Sequence, residues 1–311
     1  MANLVRRDTC IRNRQGKSLD GGMLILLCVV LVLPGTLSGA ASPGQDLVAK
    51  GQYVFGAAGG CGCHTEPNGP LNAGGRQYDG PYGTVYSSNI TPDRQTGIGA
   101  WTDDQIITGI RLGRRPNGER LIPVHPYPVF NGMAEEDLRA LVAYLRTVPP
   151  VNRQNQPKMI TVPLFESVFL PTWLAAFAPK ETPPPIAPTS GVARGEYLVR
   201  AVSHCGECHT PRGVTQATDN SRFLAGNPKG PDGDPAPNIT PDKDTGLKWS
   251  DEQIADLLGS GNKPDGDVAG GLMGEVIQGT SAGYKHLTKE DRLAIARYLK
   301  TIPAIRHKIG N

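Results

Sequence analysis

Cysteine is scarce in this 311-residue chain, and every copy already has a place. Two of the six, Cys10 and Cys28, lie in an N-terminal segment with the marks of a leader. The other four stand as two close pairs, Cys61 with Cys63 and Cys205 with Cys208. With those pairs set aside, no thiol is left for a disulfide framework. An excess of one charge is also missing. Residues 1–40 hold five of the 32 basic and two of the 29 acidic side chains, which leaves 27 of each sign beyond them and no basic run. That balance argues against nucleic acid as a partner. No strong run alternates with the two-residue period of a strand, which points to an all-α fold. The apolar run from Met23 to Leu33 is eleven residues long, well short of the roughly 20 that cross a bilayer.

That run follows a basic stretch (Arg6, Arg7, Arg12, Arg14, Lys17) and precedes Ser38-Gly39-Ala40-Ala41. The order is that of a signal peptide over residues 1–41. An uncleaved anchor reaching past Pro34 to Leu37 is the alternative, so export is expected, with attachment to the membrane left open. The remaining length, about 270 residues, suits two domains. Glycine and proline are plentiful, at 39 and 28, and imply long loops.

The pairs themselves carry the chemistry. Cys205-Gly206-Glu207-Cys208-His209 is the attachment pattern of a c-type haem: two thiols three positions apart bond the haem vinyl groups, and the adjoining imidazole binds the iron. A near copy stands at Gly60-Cys61-Gly62-Cys63-His64, with Cys61 one residue closer to Cys63 than the pattern requires. Either both thioethers form there, aided by flexible glycines, or attachment rests on Cys63 alone. Two covalently bound haem c groups are expected, with His64 and His209 as proximal iron ligands. A single zinc site built from all four cysteines is disfavoured, because structural zinc does not call for a histidine after each pair.

The chain repeats around these motifs. Gly51-Gln52-Tyr53 answers to Gly195-Glu196-Tyr197, and Asn89-Ile90-Thr91-Pro92-Asp93 with Trp101 answers to Asn238-Ile239-Thr240-Pro241-Asp242 with Trp249. Each copy holds a helix opened by Thr102-Asp103-Asp104 or Ser250-Asp251-Glu252. Each closes in an amphipathic helix, 136–145 or 290–299, stopped by Pro149 or Pro303. Two tandem haem domains are expected, 44–150 and 191–306. They flank a connector, 151–190, that is aromatic from Ile160 to Phe177 and then proline-rich. Packing across the domain junction is the expected role of Phe165, Phe169, Trp173 and Phe177, with docking of a partner or membrane surface as the alternative.

The repeat also locates the second iron ligand. Trp101 and Trp249 are 148 residues apart, as are Pro116-Asn117-Gly118 and Pro264-Asp265-Gly266. The same offset carries Met273, in Gly270-Gly271-Leu272-Met273, onto His125 in Pro123-Val124-His125-Pro126-Tyr127. A His/Met pair is a standard cytochrome c ligation, so Met273 is expected on haem 2 and His125 on haem 1. Met133 competes with His125, but its counterpart under this offset is Ser281, which is no ligand.

Residues 195–212, from Gly195-Glu196-Tyr197 through His204-Cys205-Gly206-Glu207-Cys208-His209-Thr210-Pro211-Arg212, resemble the second haem domain of the cytochrome c subunits of membrane-bound bacterial dehydrogenases for alcohols and gluconate. The Asn-Ile-Thr-Pro-Asp elements and the aromatic connector are similar too. The resemblance implies class I cytochrome c domains in the periplasm that accept electrons from a dehydrogenase. The acceptor would be a terminal oxidase, a quinone-linked complex or another cytochrome. Those subunits usually carry a third haem domain, a normally spaced first motif, and Met where this chain has His125. The rival reading is a di-haem peroxidase or small-molecule oxidase with an open first haem.

Overall fold

The computed structural model describes residues 43–60, 62–230, 233–279 and 282–309. The leader, Cys10, Cys28, Cys61 and Ser281 lie outside the described residues. In chain order the helices are α1 (Pro43–Ala57), α2 (Asp103–Leu112), α3 (Tyr127–Phe130), α4 (Glu135–Leu145), α5 (Leu170–Phe177), α6 (Gly191–Tyr197), α7 (Cys205–His209), α8 (Asp251–Ser260), α9 (Gly271–Gln278) and α10 (Lys289–Leu299). The fold is mainly helical, as expected.

One departure is a small antiparallel sheet of β1 (Gln77–Gly80), β2 (Gly83–Tyr86) and β3 (Met159–Ile160). Strands of four, four and two residues are too short to display an alternating pattern. Gly80 pairs with Gly83 across a two-residue turn, and Gly83 holds φ 122°, a value open to glycine.

The same helix contact occurs in both halves. Helix α1 packs on α4, and α6 packs on α10. A glycine permits each crossing: a Cβ on Gly51 would lie 1.9 Å from the Ala140 carbonyl oxygen, and one on Gly195 would lie 2.0 Å from that of Ala294. Gly195→Ala should therefore force α6 off α10 and cost about 2–3 kcal/mol, read by thermal unfolding. A loss of only a few tenths would mean that these helices do not approach so closely. Helices α2 and α8 open with capping boxes, Thr102 with Gln105 and Ser250 with Gln253, and end at left-handed Gly113 and Gly261.

Across the halves the contacts are crossed. The Tyr53 hydroxyl donates to Asp291 on α10 at 2.6 Å, and the Tyr197 hydroxyl donates to Asp137 on α4 at 2.7 Å. Each aspartate is buried and also meets a cation of its own half, Lys50 at Asp137 and Arg194 at Asp291.

The connector only partly fills the packing role expected of it. Phe165 stacks near Tyr82 at 5.3 Å, and the Trp173 indole donates to the Thr215 carbonyl at 2.8 Å. Phe169 and Phe177 instead remain 56% and 44% exposed. Among the described residues, no helix is long and apolar enough to cross a membrane.

Candidate functional site

Both histidines that follow the cysteine pairs are tied down in the same way. His64 Nδ1 donates to the Ser88 carbonyl at 2.8 Å, and His209 Nδ1 donates to the Pro237 carbonyl at 2.8 Å. A carbonyl can only accept, so the proton sits on Nδ1 and Nε2 is left with its lone pair. His64 closes a single turn at Gly62–His64, and His209 ends α7. Burial lowers the pKa of both rings below the ordinary histidine value, which keeps them neutral.

The two accepting carbonyls owe their place to the Asn-Ile-Thr-Pro-Asp elements. Ser88 and Pro237 directly precede Asn89 and Asn238, whose side chains are buried. Asn89 accepts from the Thr91 hydroxyl at 2.7 Å and donates to the Val151 carbonyl at 2.8 Å. Asn238 accepts from Thr240 at 2.8 Å and donates to the Ile305 carbonyl at 2.8 Å. Each knot fastens the segment that accepts from the histidine to the chain that leaves the terminal helix. The sequence exposed these residues as repeat markers. Their work as supports for the histidines is visible only in three dimensions.

The structure also tests the offset that relates His125 to Met273. Gly113 and Gly261, Gly118 and Gly266, the Arg114–Arg120 and Asn262–Val268 bridges, and the Leu121 and Ala269 bonds back to Gly113 and Gly261 all match at 148. The loops thus coincide to within four residues of His125 and Met273. Beyond that point they diverge, since α3 has four residues where α9 has eight. His125 lies in the turn before α3, and Met273 lies in the first turn of α9, half-buried against the core.

The later divergence changes the counterpart of Met133. Met133 and Leu287 each stand just before the N-cap of the terminal helix, at Ala134 and Thr288, so they match at an offset of 154 and Ser281 is not the partner. Both are buried, Met133 fully. Met133 is a packing residue at the position where an apolar side chain staples a helix start.

His125 is brought to the first motif. Its ring centre lies 6.2 Å from that of His64, with the planes at 75°. Burial, with the neighbouring His64 second, pushes the His125 pKa down to about 3. The Cys205 thiol is pushed up to about 12 by burial and by Cys208 beside it. Cys63 is exposed, and Cys208 is half-buried.

Comparison with known proteins decides the family. The cytochrome c family model matches residues 192–303. A diheme cytochrome c-type protein of Cereibacter sphaeroides is 39% identical over 273 residues, which span 83% of this chain and 86% of the relative. The chain belongs to the cytochrome c family. It is 35% identical to the cytochrome c subunit of an alcohol dehydrogenase (quinone) of Gluconobacter oxydans, over 98% of this chain and 64% of that one. It is 37% identical to the gluconate 2-dehydrogenase cytochrome c subunit of Pantoea cypripedii, over 91% of this chain and 66% of that one. The chain therefore spans just under two thirds of each of these two subunits.

A cytochrome c carries covalently bound haem c and transfers electrons, and the site residues can be tested against that group. Two imidazoles that share one metal at ordinary metal–nitrogen distances of about 2 Å have ring centres roughly 5–6 Å apart, the larger value when they face each other across it. His64 and His125 meet that requirement at 6.2 Å. Both rings are neutral, as metal ligation demands, and the thiols of Cys205 and Cys208 stand on the helical turn that ends in His209. The donor set fits haem c.

Proposed function

We propose that the chain is a periplasmic di-haem cytochrome c that takes single electrons from a dehydrogenase and passes them towards the respiratory chain. The matched helix pairs and the matched loops support two tandem haem domains, 44–150 and 191–306. Cys205 and Cys208 tether one haem, and Cys63, with or without Cys61, tethers the other. When bound, each haem supplies a one-electron ferric/ferrous couple.

The observation that carries this reading is the pairing of His64 with His125 at 6.2 Å. Two neutral imidazoles bound to one haem iron would leave no coordination position for oxygen or peroxide, so such a site would carry electrons. His64 and His209 hold the proximal side through Nε2, oriented by the Ser88 and Pro237 carbonyls. His125 closes the first site and Met273 the second. A thioether raises the potential relative to an imidazole, which makes the Met273 site the more oxidising of the two. The dehydrogenase partner follows from the relatives named as alcohol and gluconate dehydrogenase subunits. The acceptor would be a terminal oxidase, a quinone-linked complex or another cytochrome, and attachment to the inner membrane through the leader remains compatible with this role.

Haem content tests the proposal. The purified protein should retain two haems through acid-acetone extraction, and its intact mass should exceed that of the apoprotein by two haem groups. One haem in that measurement would remove the first site from the reading. Peptide mapping then tells whether Cys61 is alkylated by reagent or blocked by a thioether.

A further inference from the structure

Two aromatic rings that the proposed ligand sets do not use stand between the two sites. The Phe130 ring lies 5.5 Å from the His125 ring on one side and 5.2 Å from the His204 ring on the other, centre to centre. Both spacings are those of aromatic pairs in contact. Phe130 is buried at the end of α3. His204 directly precedes Cys205, and its Nδ1 faces the Val202 carbonyl at 3.2 Å, which fixes the ring. The approaches to the two motifs touch here as well: the Ser203 hydroxyl donates to the Ala57 carbonyl at 2.8 Å.

The backbone at His204 is informative. Its φ of 41° lies in the left-handed region, and the residue five positions before His64, Gly59, also has a positive φ, at 91°. Both motifs thus require a left-handed residue at this point. The first uses glycine, which adopts that conformation freely. The second places an imidazole ring there, at a position whose backbone glycine would adopt at least as readily.

We infer that Phe130 and His204 form the bridge along which the two sites exchange electrons, an inference that rests on the di-haem reading above. One electron leaves the ferrous iron of the first site, which becomes ferric. It passes by way of His125, Phe130, His204 and the Cys205 thioether to the ferric iron of the second site, which becomes ferrous. No proton moves, and no reductant is needed beyond the first haem.

The test is rapid reduction of the oxidised holoprotein by a radiolytic pulse, with redistribution of the electron between the haems followed optically. Phe130→Leu keeps an apolar filler but removes the ring, and His204→Gly suits the left-handed backbone while removing the imidazole. Each should slow the redistribution several-fold, with both midpoint potentials and both low-spin spectra unchanged. Phe130→Tyr should restore the wild-type rate. Unchanged rates in both ring-deleting variants would overturn the bridge while leaving the di-haem reading intact. A slowing matched by a shift in either potential would overturn it too, since the rings would then act through the ligands. Wild-type protein with a single haem would instead show that the di-haem reading itself had failed.

Discussion

Replacing His125 with alanine should turn one of two low-spin haems high-spin and make the reduced protein bind carbon monoxide rapidly, where the wild type binds it poorly. The expectation follows from geometry: the His125 ring is the group placed 6.2 Å from the His64 ring, and truncation to a methyl removes the nitrogen that would bind the iron. Met133 is no substitute. Its side chain is fully buried at the start of α4, with its backbone carbonyl accepting from Arg111 at 2.8 Å. Reaching an iron would empty a core position, at a cost of about 2–5 kcal/mol by the usual range for lost core side chains. His125→Met offers the complementary result. It should keep both haems low-spin and raise the potential of the first, because a thioether favours the ferrous state relative to imidazole. Wild-type protein with one high-spin haem that reacts quickly with peroxide would contradict the carrier reading and favour an enzyme.

How much of this was readable beforehand depends on how local each feature is. The cysteine–histidine motifs are contiguous, so His64, His209, Cys205 and Cys208 could be named without a fold. His125 needed the repeat, and the repeat reaches its neighbourhood because the loops from Gly113 to Leu121 and from Gly261 to Ala269 share one backbone path. The same arithmetic failed for Met133, since six more residues separate Met273 from Leu287 than separate His125 from Met133, four of them in the longer α9. The small sheet escaped notice because its strands are too short for a period to show. Phe130 and His204 come from opposite halves, and only folding brings them into contact. The connector aromatics show a similar limit, because a hydrophobic run does not reveal which of its faces is left uncovered. Phe165 and Trp173 found partners, while Phe169 and Phe177 did not bury.

Asp291→Ala should be among the most destabilising single changes in the second half, costing about 3–5 kcal/mol in urea unfolding of the holoprotein, the range for removing one partner of a buried ion pair. The side chains of Arg194 and Asp291 are only 14% and 10% exposed and meet at 2.7 Å. Without the carboxylate a buried guanidinium loses its hydrogen-bonded counter-charge and keeps only the weaker Coulombic pull of Asp137, and the Tyr53 hydroxyl, which bridges from the other half at 2.6 Å, loses its acceptor. The equivalent change at Asp137 should cost less, about 1–3 kcal/mol for an orphaned hydrogen-bonding group. There the cation is Lys50, which is 39% exposed and already shares itself with Glu136 at 3.0 Å, so water and a second carboxylate stand ready to receive it. The contrast separates the contribution of charge burial from that of the crossed tyrosines, which the two sites have in common. Equal losses at the two aspartates would mean that the tyrosine bonds dominate. The double change Arg194→Met with Asp291→Leu should recover much of the loss, because replacing a buried pair by apolar side chains of similar size removes the unpaired charge along with its partner. What it should not recover is the Tyr53 link between the halves, so its residual deficit measures that bond directly.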